Sequence, residues 1–314
     1  MIPRHFVWIL AVSIAPLAVV PARAGNLSFT MEIDHGQRIE SCSDVQMRFW
    51  SDDFGRDGIV TVRRSQTLSL GSDARRPLKV EASDQGGVRV QPSTDGTFSA
   101  LICMAAGATS SGAGEKILDR LSVESSGGVL RVNGPDREDW AAIIVLSVPD
   151  GATLDMSATN GPLQMGDVEG HFTLRTTNGP IKLGHVGGVV DARADNGPIK
   201  FRGHSGDVML AAQNGPIEVE LDAAEWKGKR LDASTQNGPI KLTVPDDMRS
   251  GVEVTGSRWS PTKWNGALQP DQSWDDGARM YHFGGDPTVV RISTVNGPMK
   301  IFAPGKSTPR GIKI

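Results

Sequence analysis

The chain has 314 residues, of which 22% are charged, and carries a formal net charge of −3 at pH 7. A net negative chain is not expected to bind nucleic acid in general, because such binding depends on an excess of Lys and Arg. Glycine is abundant, at 37 residues, while aromatic side chains make up only 5%, and this composition predicts a turn-rich protein rather than one with a large aromatic core.

The first 24 residues have the organisation of a secretory signal peptide. A short basic start at Arg4 and His5 precedes an apolar run over residues 6–20, and Ala22-Arg23-Ala24 is a small-x-small cleavage signal. The alternative is a membrane anchor, but the run is shorter than the ~20 apolar residues of a spanning helix. We therefore expect cleavage after residue 24 and export to the periplasm, the cell surface or the extracellular space, with no transmembrane segment in the remaining chain.

Residues 25–149 are expected to form an irregular β region that caps the N-terminal end of the repeats that follow. Alternating apolar residues at 45–49 and 88–90 predict short strands, and Ser126-Gly127-Gly128 predicts a hairpin turn. A separate β-sandwich is the alternative for this region.

The two cysteines of the chain, Cys42 and Cys103, both lie in this first region. In an oxidising compartment two cysteines are more often bridged than free, so a Cys42–Cys103 disulfide is predicted, with two separate buried thiols as the alternative. Neither cysteine has a His beside it in the sequence, and no metal site is predicted.

The triplet Asn-Gly-Pro recurs through the rest of the sequence. Four successive copies, from Asn160 to Asn214, are spaced 18 residues apart, and a fixed short period is the signature of a repeat architecture. An apolar residue stands three and five positions after each Asn, with another residue between them, as in Ile181-Lys182-Leu183. This alternation predicts a strand with one buried face. A second alternating strand follows a glycine turn, and its apolar residues are predicted to face the same interior.

Each unit is therefore strand, glycine turn, strand and Asn-Gly-Pro turn. Asn and Gly tolerate positive φ and Pro fixes φ, so the triplet is predicted to form a corner. A lone hairpin of this size cannot bury its apolar face, whereas stacked units can. We therefore predict an all-β fold in which residues 150–303 form a β-solenoid of parallel stacked coils, with 18 residues in the regular coil; an antiparallel meander is the alternative.

The Asn side chains of successive units are expected to form a ladder along one edge of this stack. The predicted turn residues are Asn160, Gly161, Pro162, Asn178, Gly179, Pro180, Asn196, Gly197, Pro198, Asn214, Gly215, Pro216, Asn237, Gly238, Pro239, Asn296, Gly297 and Pro298.

Residues 257–286 interrupt the repeat with a polar, turn-rich insertion that contains Trp259, Trp264, Trp274 and Tyr281. Aromatic rings bind the apolar faces of sugars, so these four residues are candidate ligand-binding residues. The alternative is that the Trp side chains pack on the end of the stack, and the exposure of each Trp discriminates between the two. Residues 304–314 are predicted to be a disordered tail.

Together these features resemble a known family. The signal peptide, the segment from Trp140 to Gly151 with its Val-Pro-x-Gly break, and the reiterated Asn-Gly-Pro-Ile-x-Leu are similar to the bacterial putative adhesin-like family of unknown function. The resemblance covers residues 120–302 and, more loosely, 25–120. It implies an exported β-solenoid with a role at the cell envelope, and it supplies no catalytic residues.

Three functions follow from the sequence as alternatives. The resemblance and the lack of a catalytic constellation favour an exported, non-enzymatic adhesin-like scaffold or interaction module of the bacterial cell envelope, with an envelope glycan or another envelope protein as partner and no cofactor. A carbohydrate-binding module that uses the Trp-bearing insertion is the second. A polysaccharide lyase or hydrolase is the third, although outward carboxylates such as Asp191 and Asp207 do not form a pair that their spacing identifies.

One outward column of the repeat is basic. Lys182, Lys200 and Lys241 occupy equivalent positions, and Glu218 interrupts them. The simplest interpretation is a solvated face, and the functional one is a basic strip for an anionic glycan or phospholipid surface.

Overall fold

The structure is a computed structural model that describes residues 27–33, 37–51, 58–71, 73, 76–136, 139–266, 270–275 and 277–303. The predicted signal peptide and the predicted tail at 304–314 lie outside the described residues. Within these ranges, no helix has both the length and the apolar character needed to cross a membrane.

The regular secondary structure of the described residues is almost entirely β-strand, with one α-helix, α1 (Ser111–Leu118), and a 3-10 turn at Cys42–Asp44, which confirms the all-β prediction. In chain order the strands are β1 (Ser28–Ile33), β2 (Val45–Trp50), β3 (Val60–Gly71), β4 (Leu78–Glu81), β5 (Gly87–Pro92), β6 (Phe98–Ala108), β7 (Ser122–Glu124), β8 (Val129–Asn133), β9 (Trp140–Val148), β10 (Ala152–Ala158), β11 (Leu163–Gly166), β12 (Glu169–Thr176), β13 (Ile181–Gly184), β14 (Gly187–Ala194), β15 (Ile199–Gly203), β16 (Ser205–Ala212), β17 (Ile217–Leu221), β18 (Lys227–Thr235), β19 (Ile240–Thr243), β20 (Gly251–Ser257), β21 (Thr262–Asn265), β22 (Asp271–Asp275), β23 (Ala278–Phe283), β24 (Thr288–Thr294) and β25 (Met299–Phe302).

Two large sheets enclose the main hydrophobic core. Sheet 1 has the strand order β22-β23-β20-β24-β18-β16-β14-β12-β10-β4-β8-β7, and sheet 2 has the order β21-β25-β19-β17-β15-β13-β11-β5-β9-β6-β3. From β10 to β19 the chain alternates between the sheets, and each strand from β10 to β17 pairs in parallel with the strand two positions further along. This region therefore contains no hairpin pairing of the kind that an antiparallel meander requires.

Equivalent residues of the repeat lie side by side. In sheet 2, Leu163 pairs with Ile181 and Ile181 with Ile199, and all three are fully buried. In sheet 1, Phe172 pairs with Val190 in the same way. The alternation that predicts one buried face per strand is therefore found in both sheets, and like residues stack over like.

The Asn-Gly-Pro turns also contact their counterparts in neighbouring units. The Asn178 side-chain amide donates to the Asn160 oxygen at 2.9 Å, and the Asn196 amide donates to the Asn178 oxygen at 3.1 Å. The same bond joins Asn214, Asn237 and Asn296 to the preceding member of the row. The Pro carbonyls are used as well, since Ile181 N–H donates to the Pro198 oxygen at 2.9 Å.

Glycine is needed in these turns for a different reason from the one expected. Among the described residues, none of the triplet residues has positive φ. Instead, a Cβ added at Gly179 or Gly197 would overlap the carbonyl oxygen of the glycine one unit earlier. The glycine therefore permits the close approach of stacked backbones, and the expectation of positive φ was wrong.

Strands from the N-terminal region extend both sheets. β4 pairs in parallel with β10 and β5 pairs in parallel with β11. β9 is apolar along nearly its whole length because it is covered on both faces. Ile144 and Leu146 face the main core, while Ile143 and Val145 face a second, smaller core beneath the β1–β2 hairpin.

The predicted disulfide is confirmed. Cys42, in the 3-10 turn, is bonded to the fully buried Cys103 of β6, with a Cα–Cα distance of 5.4 Å. The bridge therefore fastens the segment before β2 to sheet 2 at the edge of the second core.

Candidate functional sites

The insertion at 257–286 is more ordered than expected, because it forms three strands rather than only turns. β21 pairs in parallel with β25 at the end of sheet 2, and β23 and β22 add to β20 in antiparallel fashion at the end of sheet 1. The four candidate aromatic residues consequently fall into two groups, one packed and one exposed.

Trp264 and Tyr281 belong to the packed group. Tyr281 is 6% exposed, and its ring lies 5.1 Å from the ring of the half-buried Trp264 in an edge-on arrangement. Trp264 also contacts Phe283 edge-on, with 5.7 Å between ring centroids. These three rings cover the C-terminal end of the main core, where the two sheets would otherwise leave an open apolar face.

Trp259 and Trp274 belong to the exposed group, with 77% and 58% of their surfaces accessible. Each ring is accompanied by a guanidinium group: Arg258 lies 5.9 Å from the Trp259 centroid and Arg279 lies 4.8 Å from the Trp274 centroid. Such cation–π contacts hold an exposed ring in place.

The two Trp–Arg pairs lie at the same end of sheet 1. Trp274 and Arg279 stand opposite each other on β22 and β23. Gly277 is in the turn between those strands, and the Arg258 guanidinium is 3.6 Å from the position that a Cβ on Gly277 would take. We call this end of the sheet, made of Arg258, Trp259, Trp274 and Arg279, the Trp–Arg surface.

A second feature is a groove on the outer face of sheet 2, with a volume of about 800 Å³. Its floor includes Gly166 and Gly184, which leave the sheet surface without side chains, and a Cβ at Gly184 would meet nothing within 4 Å. Gln37 and Arg38, from the segment before the disulfide, form one wall. The remaining charged residues that line the groove are Arg89, Asp167, Lys182, His185, Lys200, Arg202, Glu218 and Glu220.

The wall of the groove is held by one buried glutamine. Gln91 on β5 is 5% exposed, and its side chain both accepts from Ile39 N–H and donates to the Ile39 carbonyl, at 3.0 Å each. Gln91 also donates to Ser147 Oγ at 3.2 Å. Together with the disulfide at Cys42, this reciprocal bonding fixes the path of residues 37–41 over sheet 2.

Cations are concentrated at one end of the groove. Arg89, Gln164, Lys182 and Lys200 are consecutive partners on the adjacent strands β5, β11, β13 and β15. The Arg89 guanidinium donates to Gln164 Oε1 at 3.3 Å and reaches within 3.8 Å of the position of a Cβ on Gly166. Burial, together with the charges of Lys200 and Arg89, lowers the pKa of Lys182 to about 8.

The other end of the groove contains the carboxylates and the cations that bind them. Lys200 Nζ lies 3.1 Å from Glu218, and Arg202 lies 3.5 Å from Glu220. At the nearby corner, Asp222 accepts bonds from His185 at 2.9 Å and from His204 at 2.8 Å when those nitrogens carry a proton. Lys200 and Arg202 therefore lie beside carboxylates at this end of the groove.

The two outward carboxylates on sheet 1 that the sequence singled out, Asp191 and Asp207, are bound to basic side chains. Asp191 contacts Arg193 on the same strand at 2.9 Å. Asp207 contacts Arg230 at 2.9 Å and Lys229 at 3.1 Å, and these bonds lower the pKa of its carboxyl. Among the residues that the structure describes, no group of three or more His, Cys, Asp or Glu could hold a metal ion.

Sequence reasoning singled out Lys182 and Lys200 but missed Arg89, Gln91 and the wall at Gln37 and Arg38. Those residues come from the irregular N-terminal region, where no repeat reveals the register. The available signal was the alternation at residues 88–90, which predicts the β5 strand but not its partner.

Comparison with known proteins gives little further guidance. No protein-family model matches the chain, and no curated protein matches it. Crystal structures that match it include a putative adhesin from Parabacteroides distasonis ATCC 8503, with 12% identity, 78% of this chain and 98% of that chain covered, and a TM-score of 0.38. Two others are putative adhesins from Bacteroides fragilis NCTC 9343 (13% identity, 77% and 97% covered, TM-score 0.37) and Parabacteroides merdae ATCC 43184 (11% identity, 76% and 96% covered, TM-score 0.38). Likenesses at these TM-scores are too weak to transfer an architecture or an activity to this chain.

Proposed function

We propose that this chain is an exported, non-enzymatic adhesin-like interaction module of the bacterial cell envelope, in which a β-solenoid of Asn-Gly-Pro coils holds binding surfaces at fixed positions. The observation that supports this proposal is the use of the repeated residues. The repeated apolar, Asn, Gly and Pro residues contact the core or the neighbouring unit, so binding is left to the side chains of the outer faces.

A structural role for the repeat and a binding role for the outer faces are thereby separated. The outer faces differ along the stack: the basic groove lies on sheet 2, and the Trp–Arg surface lies at the end of sheet 1. An interaction module needs surfaces that are distinct in charge and shape but fixed in position.

Co-sedimentation with insoluble polysaccharides tests this proposal. The purified protein is incubated with peptidoglycan, chitin or cellulose, and the same samples are assayed for released reducing ends. Retention on at least one polysaccharide without release of reducing ends is expected. Release of reducing ends that depends on the protein would show an enzyme instead, and the absence of retention on every polysaccharide would argue against binding to glycans.

The exposure of two tryptophans favours a second, more specific candidate, in which the Trp–Arg surface binds carbohydrate. Large exposed apolar patches rimmed by polar groups mark interaction sites, and these two exposed rings lie at the same end of sheet 1. The rings of Trp259 and Trp274 offer flat apolar faces for sugar C–H groups, and the guanidinium groups beside them can donate hydrogen bonds to hydroxyl or carboxylate oxygens. Trp264 and Tyr281 would contribute by holding the end of the stack in place.

Iodide quenching of Trp fluorescence tests this candidate. Iodide should strongly quench the Trp fluorescence of the wild type, and a bound glycan should reduce this quenching. Trp259→Ala and Trp274→Ala should each weaken glycan binding, while Val189→Ala, which removes apolar surface from another exposed residue (45% exposed), should not. Unchanged glycan binding in both Trp variants would remove the Trp–Arg surface from consideration.

A further inference from the structure

We propose that the Trp–Arg surface binds an acidic polysaccharide, its two exposed rings stacking on sugar faces and its two guanidinium groups binding sugar carboxylates. This inference rests on the carbohydrate-binding candidate proposed above and adds the chemical class of the ligand. The anchoring of the rings, the donors beside them and the placement of the nearby carboxylates support it.

The two exposed rings are held at fixed positions. Trp259 lies in the turn after β20, and its backbone N–H donates to Ser257 Oγ at 3.2 Å. Ser257 Oγ in turn donates to the Val295 carbonyl at 2.7 Å, which ties this turn to the chain that follows β24. Trp274 is fixed differently, because β22 pairs with β23 along its whole length. Rings that are already positioned in this way lose little conformational entropy when a sugar stacks on them.

The guanidinium groups beside the rings have donors left for an anion. Of the described residues, no Asp or Glu forms an ion pair with Arg258 or Arg279, whose contacts are with the two rings. The hydrogen bond that Arg279 Nη1 donates to the Tyr281 hydroxyl is long, at 3.5 Å. A guanidinium has five N–H donors, and two of them can bind both oxygens of one carboxylate. A sugar that stacks on either ring therefore places its carboxylate beside a matching donor group.

The carboxylates of β22 point away from the Trp274 ring. Successive side chains of a strand point to opposite faces, so Asp271 and Asp275 lie on the face of β22 that does not carry Trp274. Trp274 shares its face with Arg279, the residue opposite it on β23. A neutral polysaccharide that covered this face would desolvate the Arg279 charge without pairing it, whereas a uronic acid supplies the partner.

A lipid surface is a poorer fit for the same residues. Asp271 and Asp275 are exposed on the edge strand that carries Trp274, so pressing this strand against anionic headgroups would bring two carboxylates to a negative surface. A polysaccharide chain contacts only one face of the strand and leaves these carboxylates in water. We therefore commit to the polysaccharide and use lipid vesicles as an arm of the test.

The experiment compares polygalacturonate with its fully methyl-esterified form by isothermal titration calorimetry. The two polymers have the same sugar backbone, but esterification removes the charge of every carboxylate. The wild type should bind polygalacturonate about tenfold or more tightly than the ester, equivalent to at least ~1.4 kcal/mol. Trp259→Ala and Trp274→Ala should weaken binding of both polymers, because each removes a stacking ring.

Arginine variants separate specific binding from general charge attraction. Arg258→Gln removes an exposed guanidinium and should weaken polygalacturonate binding about fivefold or more, with little change for the ester. Arg258→Lys keeps the charge but loses the planar fork, so it should restore only part of the affinity. Lys263→Gln is the matched control, because Lys263 is an exposed cation at the same end of the stack but on sheet 2, and it should change the affinity less than about twofold. Equal melting temperatures would show that none of these effects comes from unfolding.

Several outcomes would overturn the inference. Equal losses in Arg258→Gln and Lys263→Gln would show diffuse electrostatics. Binding to phosphatidylglycerol vesicles that requires Trp259 and Trp274, without binding to polygalacturonate, would show a membrane surface. The inference also fails separately from the candidate on which it rests. Equal binding of polygalacturonate and its ester through the two Trp side chains refutes the acidic class alone, whereas no binding to any glycan refutes both.

Discussion

Replacing Lys182 by Met is predicted to stabilise the protein, because the fold places this charge where it is disfavoured. Burial and two neighbouring cations lower the pKa of Lys182 from its usual 10.5 to about 8. A difference of this size corresponds to at most ~3.4 kcal/mol of unfavourable free energy in the folded state at neutral pH. Because part of the side chain remains in water, we expect Lys182→Met to raise the free energy of unfolding by about 1–3 kcal/mol at pH 7.

The sign of the pH dependence follows from the same pKa. The folded protein loses the proton of Lys182 more readily than the unfolded chain, so the penalty is fully present below pH 8 and disappears as the pH rises to 10.5. The advantage of Lys182→Met over wild type should therefore be largest at pH 7 and should shrink by pH 10.5.

Urea unfolding followed by circular dichroism at pH 7 and pH 10.5 measures this effect. Lys300→Met is the control, since Lys300 is exposed on the same sheet, and it should change stability by less than about 0.5 kcal/mol. If Lys182→Met is destabilising at pH 7, or if its advantage is the same at both pH values, the charge of Lys182 is not disfavoured in the folded protein.

Three other predictions concern the scaffold. Gly197→Ala should lower the free energy of unfolding in urea by about 3 kcal/mol or more, because its Cβ overlaps the Gly179 carbonyl and stretches several inter-unit hydrogen bonds. Gly184→Ala, with open space around its Cβ, should change it by no more than about 1 kcal/mol. Similar losses of stability in both variants would contradict the close-approach argument. Asn196→Ala removes one donated and one accepted hydrogen bond in the row of Asn side chains and should lower the free energy of unfolding by about 1–3 kcal/mol in the same assay. Unchanged stability would show that the row does not stabilise the fold. Replacing Cys42 and Cys103 together by Ala opens a loop of 61 residues and should lower the free energy of unfolding by up to ~4 kcal/mol in the chain-entropy model. The loss should appear as a lower melting temperature, and an unchanged melting temperature would contradict the prediction.

The repeat region could be predicted from the sequence because the alternation of apolar and polar residues within each unit shows which side chains are buried. Alternation at Ile181-Lys182-Leu183 defines a one-sided strand, and the constant interval places each unit beside the next, so β11 to β19 and the amide row follow from local pattern. The backbone angle at the triplet could not be predicted. A glycine that permits close contact between stacked backbones and a glycine that adopts positive φ look the same in a sequence. Only the stacked structure distinguishes them.

The groove could be predicted only in part. Its lysines stand in a repeated column, but Arg89 lies 75 residues before its hydrogen-bond partner Gln164, and nothing in the local pattern sets the register of β5 against β11. The wall depends on Gln91 bonding to Ile39 across 52 residues. Such contacts arise from how the irregular region joins the stack, which periodicity does not encode. The separation of the four aromatic residues into a packed and an exposed pair has the same origin, since it depends on which strand of the insertion joins which sheet.

The central claim is that the buried residues and the turn triplets of the repeat are the scaffold and that binding belongs to side chains on the outer surfaces. The most direct test is the glycan retention of Asn196→Ala measured beside that of Trp259→Ala and Trp274→Ala. The account predicts that Asn196→Ala binds as the wild type does despite its lower stability, while the two Trp variants lose affinity without losing stability. Loss of binding in Asn196→Ala under conditions where it remains folded, with normal binding in both Trp variants, would contradict the account and identify the Asn row as the site.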